Sequence, residues 1–212
     1  DYLCAVVYIP NKGAPHTVLT YAGLAFGYTG INLGAISASE IPYTDVVSIS
    51  NTQPLMRKVF YDAFSLRDAI ALVEADPPLN TALLFGDGRN EYRGARIRTD
   101  ALGIVPPIRY DLAEDDFERS IPGIVYESQA LLLPTLQDAL STFIDDLTLE
   151  ALRNIANSPS FATDGANLLN VVFDSEILDI HVNKADAAGN TDAFETYDPE
   201  TPQTFNMQLL LP

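Results

Sequence analysis

The sequence holds one cysteine, no tryptophan and two histidines, and its 12 lysines and arginines are outnumbered by 29 aspartates and glutamates. Each shortage closes a route. With Cys4 alone, no intrachain disulfide can form, so a disulfide-stapled scaffold is excluded. His16 and His181 lie far apart with no metal-ligand spacing, and isolated histidines of this kind are more often hydrogen-bonded structural residues. The formal net charge of −17 repels phosphate backbones and anionic lipid headgroups. DNA, RNA and membrane surfaces are therefore poor candidate partners. The same acidity suits a cationic ligand, or a salty or acidic habitat.

Motifs are scarce as well. No apolar run reaches the roughly 18 residues that span a bilayer, and no signal peptide is visible. There is no Gly-rich phosphate loop ending in Lys-Ser/Thr, no dinucleotide fingerprint and no nucleophile elbow. The acidic cluster Glu114-Asp115-Asp116 lacks calcium-loop spacing and reads as a solvated loop. Cys4 sits in a β-branched strand run, where a thiol behaves as a small apolar residue, so it reads as core packing.

What is present describes one folded unit. The 212 residues, 47% of them hydrophobic, suffice for a sizeable core, and no linker divides them. Leu3 to Ile9 and Thr17 to Tyr21 are strand-like runs around the turn cluster Pro10-Asn11-Lys12-Gly13, which predicts a hairpin. Glycines at 23, 27, 30 and 34 in apolar sequence predict close backbone packing or bulges. Ala35 to Ser39 reads as a short strand. Pro54 to Glu74 reads as helix in two pieces, the second capped by Ser65 with Asp68 three residues on. Thr81 to Phe85 and Tyr92 to Ile97 predict a second hairpin, and residues 98–120 an irregular surface loop. Leu131 to Asp146 and Leu149 to Asn157 read as helices. Asn167 to Phe173 and Leu178 to Val182 predict a third hairpin, and Thr204 to Leu211 a last strand. Strands and helices thus come in runs, which argues for an α+β fold of mainly antiparallel sheets with helices grouped between them.

Several stretches, taken in order, resemble the acyl-coenzyme A:6-aminopenicillanic acid acyltransferase-like family of N-terminal-nucleophile (Ntn) hydrolases. The first is Tyr21-Ala22-Gly23-Leu24-Ala25-Phe26-Gly27-Tyr28-Thr29-Gly30-Ile31-Asn32, an apolar strand leading into a Gly-x-Asn turn. The helical unit with Ser65-Leu66-Arg67-Asp68-Ala69-Ile70 follows, and then the strand in Asn80 to Asp87. Gly165-Ala166-Asn167-Leu168-Leu169-Asn170-Val171-Val172-Phe173-Asp174 resembles the family's penultimate hairpin, and Phe205 to Leu211 its closing strand. The resemblance implies a single Ntn-hydrolase-like αββα sandwich over residues 1–212. It also implies amide hydrolysis or acyl transfer on a linear amide or acyl substrate through a Cys-type N-terminal nucleophile. No cofactor is implied, because side chains and a backbone amine suffice for that chemistry.

The resemblance also places candidate site residues. Leu3 to Ile9 falls on the family's second major strand, so the nucleophile would lie upstream of Asp1, and Cys4 falls on a core position. The chain opens at Asp1 without an initiator Met and is expected to be processed, trimmed or partial, with the nucleophile on a companion peptide from processing or in a lost segment. Alone, it is expected to be inactive. Ser128 stands where an oxyanion-side Asn is expected, and Asp164 where an Arg is expected. Ala35 replaces a Gly. Glu40, just after Ser39, falls where a backbone amide would face the acyl oxygen. Candidate substrate-binding residues are therefore Ser39, Glu40, Asn32 and Asp164. Read without the resemblance, Asn32 is a left-handed turn residue, Ser39 and Ser128 are ordinary serines, and Asp164 is a turn former. The alternative functions are a non-catalytic binding module or inactive fragment of this fold, or a structural domain. The compartment stays open, with a secreted or periplasmic one slightly favoured.

Overall fold

The structure is a computed structural model that describes residues 3–22, 27–42, 52–99, 108–110, 124–126, 133–142, 147–158, 169–184 and 203–210. Its first sheet is a meander of β1 (Leu3–Tyr8), β2 (His16–Tyr21), β3 (Thr29–Asn32), β4 (Ile36–Pro42), β5 (Thr81–Asp87), β6 (Arg93–Arg98) and β7 (Ile108–Tyr110). Every neighbouring pair is antiparallel. Helices α1 (Thr52–Asp62) and α2 (Leu66–Ala75) fall between β4 and β5, and α3 (Leu133–Thr142) and α4 (Leu149–Ala156) precede the second sheet. That sheet has β8 (Leu169–Asp174), β9 (Asp179–Lys184) and β10 (Gln203–Asn206) in the order β10-β9-β8.

Side chains alternate along a strand, so each strand of the first sheet supplies both of its faces. One face carries Val18, Ile36, Ala38, Leu83, Phe85, Ala95 and Ile97 into a core with Leu55, Val59 and Phe60 of α1 and Leu66, Ile70 and Val73 of α2. The other face carries Leu19 and Ile31, joined by Ala35, against Leu178, Ile180, Val182 and Met207 of the second-sheet unit. On the far side of the second sheet, α4 lies against β8. There Asn157 Oδ1 accepts from the Nδ2 groups of Asn170 (2.9 Å) and Asn183 (3.2 Å). The layers are therefore α1–α2, first sheet, second sheet and α4. A third cluster of Tyr126, Leu140 and Ile155 joins α3 to α4.

Local chemistry explains the elements. Ser65 Oγ accepts from Asp68 N at 3.2 Å and caps α2, as the sequence predicts. At Gly30 a Cβ would stand 2.4 Å from Thr17 O and 3.1 Å from Phe60, so the missing side chain lets α1 approach β3. Three expectations change. A strand, β7, lies within 98–120, because Ile108, Arg109 and Tyr110 pair with β6. The last strand stops at Asn206 and continues as a 3-10 helix over Met207–Leu210, where Met207 N bonds Leu178 O. Cys4 is half-buried on β1, at the edge of the described sheet, rather than in a core cluster. Among the described residues, no helix is long and apolar enough to cross a membrane.

Candidate functional site

The face of the first sheet that meets the second mixes the apolar Leu19 and Ile31 with the polar Thr17, Thr29, Ser37, Ser39 and Arg96. Pairing register sets one continuous row on that face. Leu19 pairs with Thr29, Thr29 with Ser39, Ser39 with Leu84 and Leu84 with Arg96. Strands sit about 4.8 Å apart, so Ser39 and Arg96 have Cα atoms about 10 Å apart, within reach of an extended arginine. Thr29, Ser39 and Leu84 are half-buried, and the Thr29 and Ser39 hydroxyls are bonded at 2.5 Å. One turn of the pleat away, Ser37 Oγ accepts from Ser175 Oγ at 2.9 Å. Ser175 lies in the β8–β9 turn, so the second sheet closes over that end of the row.

The other cover comes from residues 124–126. Arg96 is only 2% exposed, and its Nη1 donates to Tyr126 O at 3.1 Å. Val125 Cβ lies 3.7 Å from where a Cβ on Gly94 would stand. Gly94 and Arg96 share a face, so this segment crosses β6 on the side that looks toward the second sheet. The half-buried row lies between these two covers. The Tyr21 side chain shares this face, and burial pushes its phenol above the ordinary value, keeping it a protonated donor.

The sequence-derived candidates separate by parity. Ser39 points into the row. Glu40, its neighbour, points to the helix side, where its Oε1 accepts from Thr81 Oγ1 at 3.0 Å. Burial raises the Glu40 pKa, and hydroxyl donation from Thr81 and Thr52 offsets only part of that. The Glu40 amide is also engaged, donating to Tyr28 O at 3.0 Å. Asn32 faces the helices too and is fully buried. Its Nδ2 donates to Phe60 O (3.1 Å) and Ala63 O (2.7 Å), and its Oδ1 accepts from Ile36 N (3.1 Å). It is the last residue of β3 rather than a left-handed turn residue. The left-handed φ of 64° belongs to Ala35, which closes the turn by donating its amide to Asn32 O. Cys4 pairs with Thr20 and shares its parity with Val6 and Tyr8, which pack toward the helix-side core, so its thiol does not face the row. Ser128 and Asp164 lie outside the described residues.

Arg96 was missed by sequence reasoning. The signal was available, because Ala95 and Ile97 alternate as core residues and leave Arg96 on the opposite face. Only a second layer over that face makes it a buried position. Among the described residues, no group of His, Cys, Asp and Glu is arranged to hold a metal ion.

This stacking of helices, two antiparallel sheets and helices is an α+β, Ntn-hydrolase-like sandwich. Solved structures share it. A Caenorhabditis elegans ortholog of N-acylethanolamine-hydrolyzing acid amidase superposes with a TM-score of 0.64 at 14% identity, covering 100% of this chain and 88% of its own. A variant of conjugated bile acid hydrolase from Clostridium perfringens gives 0.55 at 10% identity, over 92% of this chain and 78% of its own. Penicillin V acylase from Agrobacterium tumefaciens gives 0.52 at 11% identity, over 91% of this chain and 74% of its own. Identities this low carry the fold alone. No protein-family model matches the sequence, and no curated protein does.

Proposed function

We propose that this chain forms the body of an Ntn-type amide hydrolase or acyltransferase acting on a linear amide, with a Cys nucleophile supplied from outside these 212 residues. The layer order carries this reading. It is shared along nearly the whole chain with an acid amidase, a conjugated bile acid hydrolase and an acylase. The acyl group would lie along the row of Thr29, Ser39 and Leu84, beneath residues 124–126. A thiolate attacks the amide carbonyl, with the free α-amine of the same Cys taking the thiol proton. The tetrahedral oxyanion needs donors that are already in place. The Glu40 amide is spent on Tyr28 O, so the reading assigns that role to the Ser39 hydroxyl and to Ser128. Collapse expels the amine, which takes a proton, and leaves a thioester. Water, or an acceptor amine in the transferase variant, then releases the acyl group.

The test is intact mass and N-terminal sequencing of the protein purified from its native source. The same preparation is assayed against an N-acylethanolamine, a conjugated bile acid and penicillin V. A companion segment beginning with Cys, together with amine release from one substrate, is the expected result. Ser128→Ala should then lower kcat about a hundredfold, as the loss of one oxyanion donor does elsewhere. A preparation with no such Cys that hydrolyses none of the three would overturn the enzyme reading in favour of a binding module.

A further inference from the structure

Two pairs of hydroxyls lie on the face of the first sheet that meets the second, and they end differently. Ser175 Oγ donates to Ser37 Oγ, and Ser37 Oγ donates in turn to Gly86 O at 3.5 Å. Both O–H groups of that pair are spent inside the protein. Thr29 Oγ1 and Ser39 Oγ, by contrast, are bonded only to each other among the described residues. Register brings this second pair together. Glu40 N donates to Tyr28 O, so the next pair along, Thr29 and Ser39, is the closely spaced kind in which facing side chains meet. Two hydroxyls carry two protons, and one mutual bond uses one of them. The other proton has no acceptor among the described residues. Both residues are half-buried, so an oxygen bound over the row can supply that acceptor.

We infer that Thr29 is a positioning residue for Ser39 in the proposed amide hydrolase. Thr29 donates to Ser39 Oγ, which leaves the Ser39 proton to point out at the substrate carbonyl. The inference rests on the proposed function, which puts Ser39 on the oxyanion side. Thr29 suits the inner place in this chain of hydroxyls because branching at its Cβ restricts χ1, whereas the unbranched Ser39 turns more freely. As charge grows on the carbonyl oxygen, the two bonds polarise and strengthen each other. Thr29 therefore acts in the transition state without touching substrate. Were Ser39 to donate to Thr29 instead, its proton would be spent and the oxyanion would lose that donor.

The experiment is a double-mutant cycle in the complete, processed protein, with Thr29→Val, Ser39→Ala and the two combined, and Thr29→Ser as the conservative variant. It reads kcat and KM for amide hydrolysis. Valine keeps the shape of threonine and removes the hydroxyl. Ser39→Ala should lower kcat about a hundredfold. Thr29→Val should lower it about tenfold with KM little changed, the pattern of an interaction felt in the transition state. Thr29→Ser should recover most of that loss. In the Ser39→Ala background, Thr29→Val should cost nothing further, because Thr29 works only through Ser39. Full kcat in either Thr29→Val or Ser39→Ala, or losses that multiply, overturns the inference. So does an equal loss in Thr29→Ser, which would assign the effect to packing. Neutron diffraction from crystals of the deuterium-exchanged protein gives a readout independent of activity. The Thr29 deuterium should lie toward Ser39 Oγ, and a Ser39 deuterium lying toward Thr29 Oγ1 overturns the inference. If wild type hydrolyses no amide, the proposed function fails, and the deuterium positions alone decide whether Thr29 sets the Ser39 hydroxyl.

Discussion

Both ends of the Asn32 amide are used inside the protein, on two carbonyls of α1 and its exit and on one amide of β4. Replacing it with alanine leaves three buried backbone groups without their partner. Asn32→Ala should cost about 3 kcal/mol in urea denaturation, and a loss below about 1 kcal/mol would mean that water takes over the bonds. Asp87 has a comparable role. It is 3% exposed and accepts from the amides of Leu66 (3.1 Å), Arg89 (2.9 Å) and Asn90 (2.8 Å), which ties the start of α2 to the end of β5. Burial by itself would raise its pKa, but these amide donations, with one from Glu91, outweigh burial and lower it. A depressed folded pKa stabilises above the ordinary value of 3.8, and that stability is lost as pH falls below it toward the folded value. Asp87→Asn should flatten the acid limb of a melting-temperature profile, and an unaltered limb would show that the carboxylate charge is not used. Neither role was legible in the sequence. An Asn after Gly-x reads as a turn former, and what it bonds depends on a helix some 30 residues further on (|i−j| = 28 and 31).

At the scale of elements, the reading succeeded where the signal was local. The Ser65 cap, the break between α1 and α2, and the three hairpins follow from turn residues and apolar spacing a few positions apart. It failed at β7, which is three residues long and is a strand only because β6 offers an edge to Ile108–Tyr110. It failed again at the end, where apolar residues extend past Asn206 but pairing with β9 does not. The α4 layer carries a prediction of its own. His181, on the α4 side of β9, is 9% exposed, and its Nδ1 lies 2.9 Å from Thr204 Oγ1. Burial lowers its pKa from 6.5, and Arg153 of α4 lowers it further, against smaller raising effects of Asp179 and Asp174. The stabilisation is complete above 6.5 and is lost as pH falls through that value toward the folded one. Melting temperature should therefore drop between neutral and mildly acidic buffer, and His181→Asn should reduce the slope. His16 is shifted in the same direction, mainly by burial, and should account for slope that persists. If the variant and wild type keep identical slopes, His181 is not what couples this layer to pH.

Over the whole molecule, alternation shows which residues share a face but not what covers that face. The second sheet and residues 124–126 cover the first sheet through contacts far apart in sequence, so local spacing does not mark Arg96 as buried and does not separate Glu40 and Asn32 from Ser39. The docking of the two sheets can be tested at one atom. At Gly88 a Cβ would stand 2.3 Å from Ser175 C and 2.4 Å from Glu176 N, so the β8–β9 turn sits directly on the backbone of the first sheet. Gly88→Ala should cost about 1–3 kcal/mol by forcing the turn away, read as a lower melting temperature. No loss would mean that the turn shifts freely.

The opposite facings of Ser39 and Glu40 have a consequence for how this chain can change over generations. Seven residues of β4 serve two unlike neighbours at once, helices on one side and the polar row on the other. Inserting or deleting a single residue inside that stretch would turn every later side chain over, aiming Glu40 at the second sheet and Ser39 at α1. Two residues gained or lost together would keep both facings. Length variation within β4 should therefore survive in even steps only, while substitutions at Ser39 and at Glu40 remain free to drift independently of each other.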